Sequence, residues 1–251
     1  MSIAAIYDPP PRDGTQRILL LMLPGAKASA HDLVQQGFVR ELRARNLPVD
    51  VVAVAAHLGH YLDRSLSGLL AADFLGPARA RNYRRIWLMG ISLGGMGALT
   101  FAREHPADIE GAVLLAPFLA TRGVVAEVVR AGGWAGWQPG VINPGDDERE
   151  MLAWLKDYRA AAAGFPALHL GYGKQDRFAT TSELMAERLP AAHVVSAAGG
   201  HDWTTWLTLW RQLLDRGIFG FGGDAIARRE GAGPDENARR RADNRRDAPA
   251  A

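Results

Sequence analysis

Short apolar runs alternate with longer amphipathic stretches along most of this chain. The runs are Ile18 to Leu23, Val49 to Ala55, Ile86 to Met89, Ala112 to Ala116, Ala167 to Leu170 and His193 to Ala197. They are short and apolar on both faces, as strands of a buried parallel sheet are. Between them, His31 to Asn46 sets Leu33, Val34, Phe38, Val39 and Leu42 on one helical face, with Arg, Glu and Gln opposite. Leu66 to Ala80, Met96 to Glu104, Thr181 to Leu189 and Trp203 to Arg216 have the same character. Ser29 with Asp32, and Thr180 with Glu183, carry the spacing of capping boxes at helix starts. The alternation predicts βαβ units and a doubly wound, mostly parallel α/β sheet with helices on both faces.

Two regions break the rhythm. Residues 118–164 predict two helices, near Val124–Ala131 and Glu148–Ala161, joined by a link rich in Gly, Trp and Pro. Trp134, Trp137 and Trp154 in that stretch suggest a small helical cap; an ordinary crossover with an extended loop is the alternative. Residues 222–251 hold almost no large apolar residue after Ile226. Such a segment buries too little surface to offset its ordering entropy, so a disordered tail is expected after a domain spanning 1–221.

Composition narrows the function classes. The 251 residues are 48% hydrophobic, enough for a sizeable core. Lys and Arg number 29 against 27 Asp and Glu, and a net charge of +2 gives no ground for a nucleic-acid partner. The absence of Cys excludes a disulfide scaffold, a thiolate zinc site and a Cys nucleophile. No apolar run approaches the roughly 20 residues needed to span a bilayer. Arg12, Arg17, the apolar run and Ala28-Ser29-Ala30 imitate a signal peptide, but Pro24-Gly25 interrupts them. A cytoplasmic protein with no membrane association is expected, its oligomeric state open.

The chemistry concentrates at Gly90-Ile91-Ser92-Leu93-Gly94, a G-x-S-x-G pattern between a predicted strand and a predicted helix. That setting would raise the Ser92 hydroxyl above the strand ends, at a helix N-terminus that favours developing negative charge. A plain glycine-rich βα turn is the bland alternative. A serine hydroxyl needs a base, and the base an orienting acid. His201, in Gly199-Gly200-His201-Asp202-Trp203, follows the last predicted strand and precedes the last helix. Asp176 is the only carboxylate of the loop Gly171 to Phe178, and Asp202 is the weaker candidate for the acid. The backbone N–H groups of Leu93 and of Ala26, after Pro24-Gly25, are the expected oxyanion donors.

These motifs, spanning Ile18 to about Trp210, resemble those of the α/β-hydrolase fold, in particular small bacterial serine esterases and thioesterases. The resemblance implies a Ser92–Asp176–His201 triad and an acyl-enzyme on Ser92, with no cofactor. The expected substrate is a small-molecule ester or thioester. A cofactor-free lyase or acyltransferase on the same triad, or a binding-only protein of this fold, are the alternatives. His57, His60 and Tyr61, beyond the strand Val49 to Ala55, are candidate substrate contacts, as are Trp134 and Trp137. A metal site from His57, His60 and Asp63 is not expected, because no fourth ligand can be identified. Trp203, Trp206 and Trp210 have the spacing of a core-facing helical stripe.

Overall fold

A computed structural model describes residues 2–10 and 18–221. The expected tail, 222–251, lies outside the described residues, as do Arg12 and Arg17. The chain divides into two units, 1–215 and 216–251. The described part of the second is a short turn in which the Gly220 N–H donates to the Gly217 carbonyl.

The first unit is built on a seven-stranded sheet: β1 (Ala5–Asp8), β2 (Ile18–Leu23), β3 (Val49–Val54), β4 (Arg85–Ile91), β5 (Ile109–Leu115), β6 (Ala167–Gly173) and β7 (Val194–Ala197). Their spatial order is β1-β3-β2-β4-β5-β6-β7, and every pairing is parallel except β1 with β3. All six predicted runs are strands. β1 was not predicted: it is a half-exposed antiparallel edge strand of four residues, too short to show an alternation.

Among the described residues ten α-helices accompany the sheet: α1 (Ala30–Gln35), α2 (Phe38–Ala44), α3 (Leu58–Leu62), α4 (Leu66–Leu70), α5 (Gly76–Ala80), α6 (Leu93–Glu104), α7 (Arg122–Arg130), α8 (Asp147–Asp157), α9 (Ala179–Ala186) and α10 (Trp203–Asp215). The single helix expected over His31 to Asn46 is two, because Gly37 turns the chain at a φ of 94°. A π-helical turn at Ala71–Leu75 joins α4 to α5. The capping box at Ser29 is present, with Asp32 returning the hydrogen bond. The one expected at Thr180 is not: α9 begins at Ala179, and no side chain caps it.

Successive strand residues face opposite sides of the sheet, so each face has its own core. Leu19, Leu21, Leu88, Leu114 and Leu170 pack with Leu70, Leu99, Val128 and Leu155 from α4, α6, α7 and α8. Residues of the opposite parity, such as Leu20, Met22 and Val113, are equally buried. On that side α10 touches α2, and the Trp210 indole donates to the Phe38 carbonyl at 3.0 Å. α7 and α8, within residues 118–164, thus contribute to the same core as the strands. Among the described residues no helix is long and apolar enough to cross a membrane.

Candidate active site

The chain leaves β2 for β3 on one side and later resumes at β4 on the other. At the carboxyl ends of β2 and β4 the connections therefore diverge, which opens the crevice where doubly wound sheets bind ligands. Ser92 lies at this point, directly after β4 and before α6. Its backbone has φ 53° and ψ −116°, a conformation costly for a residue with a Cβ. The turn persists because it is held on every side. The Ser92 N–H donates to Leu115 O at 3.0 Å, and its carbonyl accepts from Gly95 at 2.9 Å and Phe118 at 2.9 Å. The flanking glycines are sterically required. A Cβ on Gly90 would stand 2.2 Å from the Gly94 carbonyl oxygen, and one on Gly94 would stand 2.2 Å from that of Leu23.

The next two groups arrive from the carboxyl ends of β6 and β7, which are neighbours in the sheet. His201 Nε2 is 3.0 Å from Ser92 Oγ, and its Nδ1 is 2.7 Å from Asp176 Oδ2. The Asp176 carboxylate is fully buried, while its other oxygen accepts the Phe178 N–H at 2.8 Å. A carboxylate so placed fixes the Nδ1–H tautomer and turns the Nε2 lone pair toward the serine. Ser92 is itself mostly buried.

Gln175 was not singled out from the sequence, yet it ties the two loops together. Its N–H donates to the Gly199 carbonyl at 3.0 Å, and its side-chain oxygen accepts the Gly199 N–H at 2.6 Å. Nothing in the local pattern marks this role, since the partner is 24 residues away. Asp202 points elsewhere: it accepts from the Thr205 N–H at 2.9 Å, at the start of α10. Those backbone hydrogen bonds, led by that from Thr205, hold its carboxyl below the usual carboxylate range.

Leu93 is the first residue of α6, where N–H groups lack partners within the helix. Gly25 lies against the serine, since a Cβ there would stand 3.5 Å from Ser92 Cβ, and Ala26 follows it on the exposed turn.

The remaining expected contacts divide. Tyr61 and His60 line a cavity beside α6. His57 serves the backbone: its Nδ1 accepts the Gly59 N–H at 3.1 Å, while His60 Nδ1 accepts the His57 N–H at 3.3 Å. The two imidazoles stack at 3.7 Å and cap α3. Trp134 and Trp137 are buried edge to face, 6.2 Å apart, with the Trp134 indole donating to the Leu184 carbonyl at 2.7 Å. These two rings pack in the core and leave almost no surface for the substrate contact expected of them. Among the described residues no group of three or more His, Asp or Glu side chains stands together as a metal site would require.

A family model described as serine aminopeptidase, S33, matches residues 71–144, which include β4, Ser92 and α6. No curated protein matches the chain. Solved structures match over most of its length. Est1E from Butyrivibrio proteoclasticus superposes with a TM-score of 0.61 at 15% identity, covering 87% of this chain and 93% of its own. The S-formylglutathione hydrolase of Staphylococcus aureus gives 0.52 at 16% identity, with 80% of each chain covered. A monoacylglycerol lipase of Paleococcus ferrophilus gives 0.51 at 15% identity, covering 86% of this chain and 100% of its own. With its sheet order, its single antiparallel edge strand and these superpositions, the chain has the α/β-hydrolase fold.

Proposed function

We propose that this protein is a serine hydrolase that cleaves a carboxylic ester or thioester through an acyl-enzyme on Ser92. The observation that carries this reading is the unbroken hydrogen-bond line from Ser92 Oγ through the His201 ring to Asp176. In it, neutral His201 takes the Ser92 proton at Nε2 as Oγ bonds to the substrate carbonyl carbon. The negative oxygen of the tetrahedral intermediate sits against the N–H groups of Leu93 and Ala26. His201 then gives its proton to the departing alcohol or thiol as that bond breaks. Water repeats the sequence on the acyl carbon: His201 takes its proton, the acid leaves, and Oγ recovers the proton. Asp176 stays ionised throughout and stabilises the imidazolium. Every proton is returned within this cycle, so no cofactor is required.

A fluorophosphonate probe tests this directly. Wild-type protein should be labelled at Ser92 and Ser92→Ala should not. The same pair, assayed on esters, thioesters and amides sharing one acyl group, sorts the leaving group. Ester and thioester turnover that survives in Ser92→Ala would overturn the proposal.

A further inference from the structure

Beside α6 lies a cavity of about 130 Å³, walled by Tyr61, Leu66, Met96 and Gly97. The α6 residues that line it include Met96, Thr100, Arg103 and Glu104. They follow Ser92 by four, eight, eleven and twelve positions, which is one stripe of a helix. The cavity therefore runs along a face of α6 whose first lining residue, Met96, follows the serine by one turn and donates its N–H to the Ser92 carbonyl at 3.3 Å. Met96 stands about 6 Å along the axis from Ser92. Helical side chains lean toward the N-terminus, so that of Met96 covers the turn nearest the serine. A broader cavity of about 550 Å³, bounded by residues 143–148, shares Met96 and Asp147 with the first.

The charges at the far end are already matched by the protein. Arg64 bonds the Gly145 carbonyl at 2.7 Å and pairs with Asp147 at 3.1 Å. Arg103 pairs with Glu150 at 3.4 Å, and Glu104 accepts the Ser67 hydroxyl. A neutral ligand group leaves these pairs intact. The nearer walls are the aliphatic Leu66, the Met96 thioether and the Tyr61 ring, whose buried hydroxyl has no hydrogen-bond partner among the described residues. For scale, an apolar protein cavity of about 150 Å³ holds one benzene ring.

Resting on the serine-hydrolase reading above, we infer that this cavity receives the acyl chain of the substrate, and that the chain is uncharged and short. A group of about four to six carbons fills it. Met96 is its gate and Gly97 sets its width. A Cβ on Gly97 would meet Leu66 Cδ2 and Tyr61 Cε1 at 2.9 Å each.

The test uses 4-nitrophenyl esters from acetate to decanoate with the full chain, read as the ratio of kcat/KM between acyl lengths within each protein. Wild type should prefer butyrate or hexanoate to decanoate by about tenfold or more, since single methylenes change such ratios by 10- to 200-fold. Met96→Ala should move the optimum to longer chains, and Met96→Trp to acetate. Gly97→Ala should also shorten it, and should do so without any change when the alcohol is varied at constant acyl group. A profile identical in wild type and in both Met96 variants overturns the assignment, as does a shift seen only on varying the alcohol. A preference for succinyl or aminoacyl esters over butyrate overturns the neutral class. Fluorophosphonate labelling of Ser92 separates the two levels. Labelled protein with an unmoved profile removes the pocket and leaves the hydrolase, while unlabelled, inactive protein removes both.

Discussion

The ring of Trp206 meets that of His201 edge to face, with centroids 4.9 Å apart and planes at 89°. Phe178 meets the same imidazole at 5.1 Å and 82°. Two hydrogen bonds fix the imidazole along its nitrogen axis, and these rings restrict its tilt about that axis. Trp206→Leu should lower kcat about ten- to a hundredfold with KM nearly unchanged, the scale on which small misplacements act. Trp206→Phe, which keeps an aromatic edge, should recover most of the loss. Steady-state kinetics on one ester checks both; equal losses in the two variants would show that ring contact does not position His201.

The two neighbouring carboxylates should separate cleanly. Asp176→Asn removes the acceptor that fixes the His201 tautomer and should cost on the order of 10⁴ in kcat, with the fold retained. Asp202→Ala removes the acceptor for the first turn of α10 and for the Gly200 N–H at 3.3 Å, and should cost about 1 kcal/mol of stability, with activity changed far less than in Asp176→Asn. The folded state holds the Asp202 carboxyl below its ordinary value. Its contribution is therefore present above the ordinary carboxylate pKa and lost as pH falls through the lower folded one. Denaturant unfolding of wild type and Asp202→Ala should converge in acid.

What could be read in the sequence follows from how local each signal is. Ser92 stood out because strand, glycines and helix lie within a few residues of it, and the structure needs those glycines for close backbone approach. Asp176 and His201 were reachable because each follows a short apolar run that forms a strand, β6 buried on both faces and β7 in part. β1 was not, since its Tyr7 is 61% exposed and its pairing with β3 is made across more than forty residues. The burial of Trp134 and Trp137 was not legible because spacing says nothing of which neighbour an indole meets; that of Trp134 meets the Leu184 carbonyl, fifty residues on. The role of His57 was hidden because imidazole is not among the usual capping groups.

Glycine substitutions should show where the turn is tight. Gly94→Ala forces a methyl to within 2.2 Å and 2.5 Å of the Leu23 and Pro24 carbonyl oxygens. Both are backbone atoms leading into the Gly25-Ala26 turn, so neither yields as a side chain end would. The substitution should cost about 3 kcal/mol and slow fluorophosphonate labelling of Ser92. Gly68→Ala, in α4, meets nothing within 4 Å. It should stabilise by about 0.5–1 kcal/mol through helix propensity and loss of unfolded-state freedom. Thermal melts that rank the two alike would contradict this reading of the turn.

The paired imidazoles of α3 should make that helix pH-sensitive. Both Nδ1 atoms accept backbone N–H groups, which only the unprotonated nitrogen can do. Burial, and then the neighbouring His57, holds the His60 pKa below its ordinary value, with Asp63 opposing. The fold thus favours neutral His60. Its contribution is complete above the unperturbed value of about 6.5 and is lost as pH falls through the lower folded value. A protonated His60 can no longer accept the His57 N–H, so that capping bond would then be gone. Amide hydrogen exchange of residues 57–63, corrected for intrinsic rates, should show α3 opening more often as pH falls from about 8 to 5. Exchange in β2 and β4 should stay flat over the same range. The double variant His57→Ser with His60→Glu restores a capping box without an imidazole and should abolish the response. A response that persists in that variant would assign the sensitivity to another group.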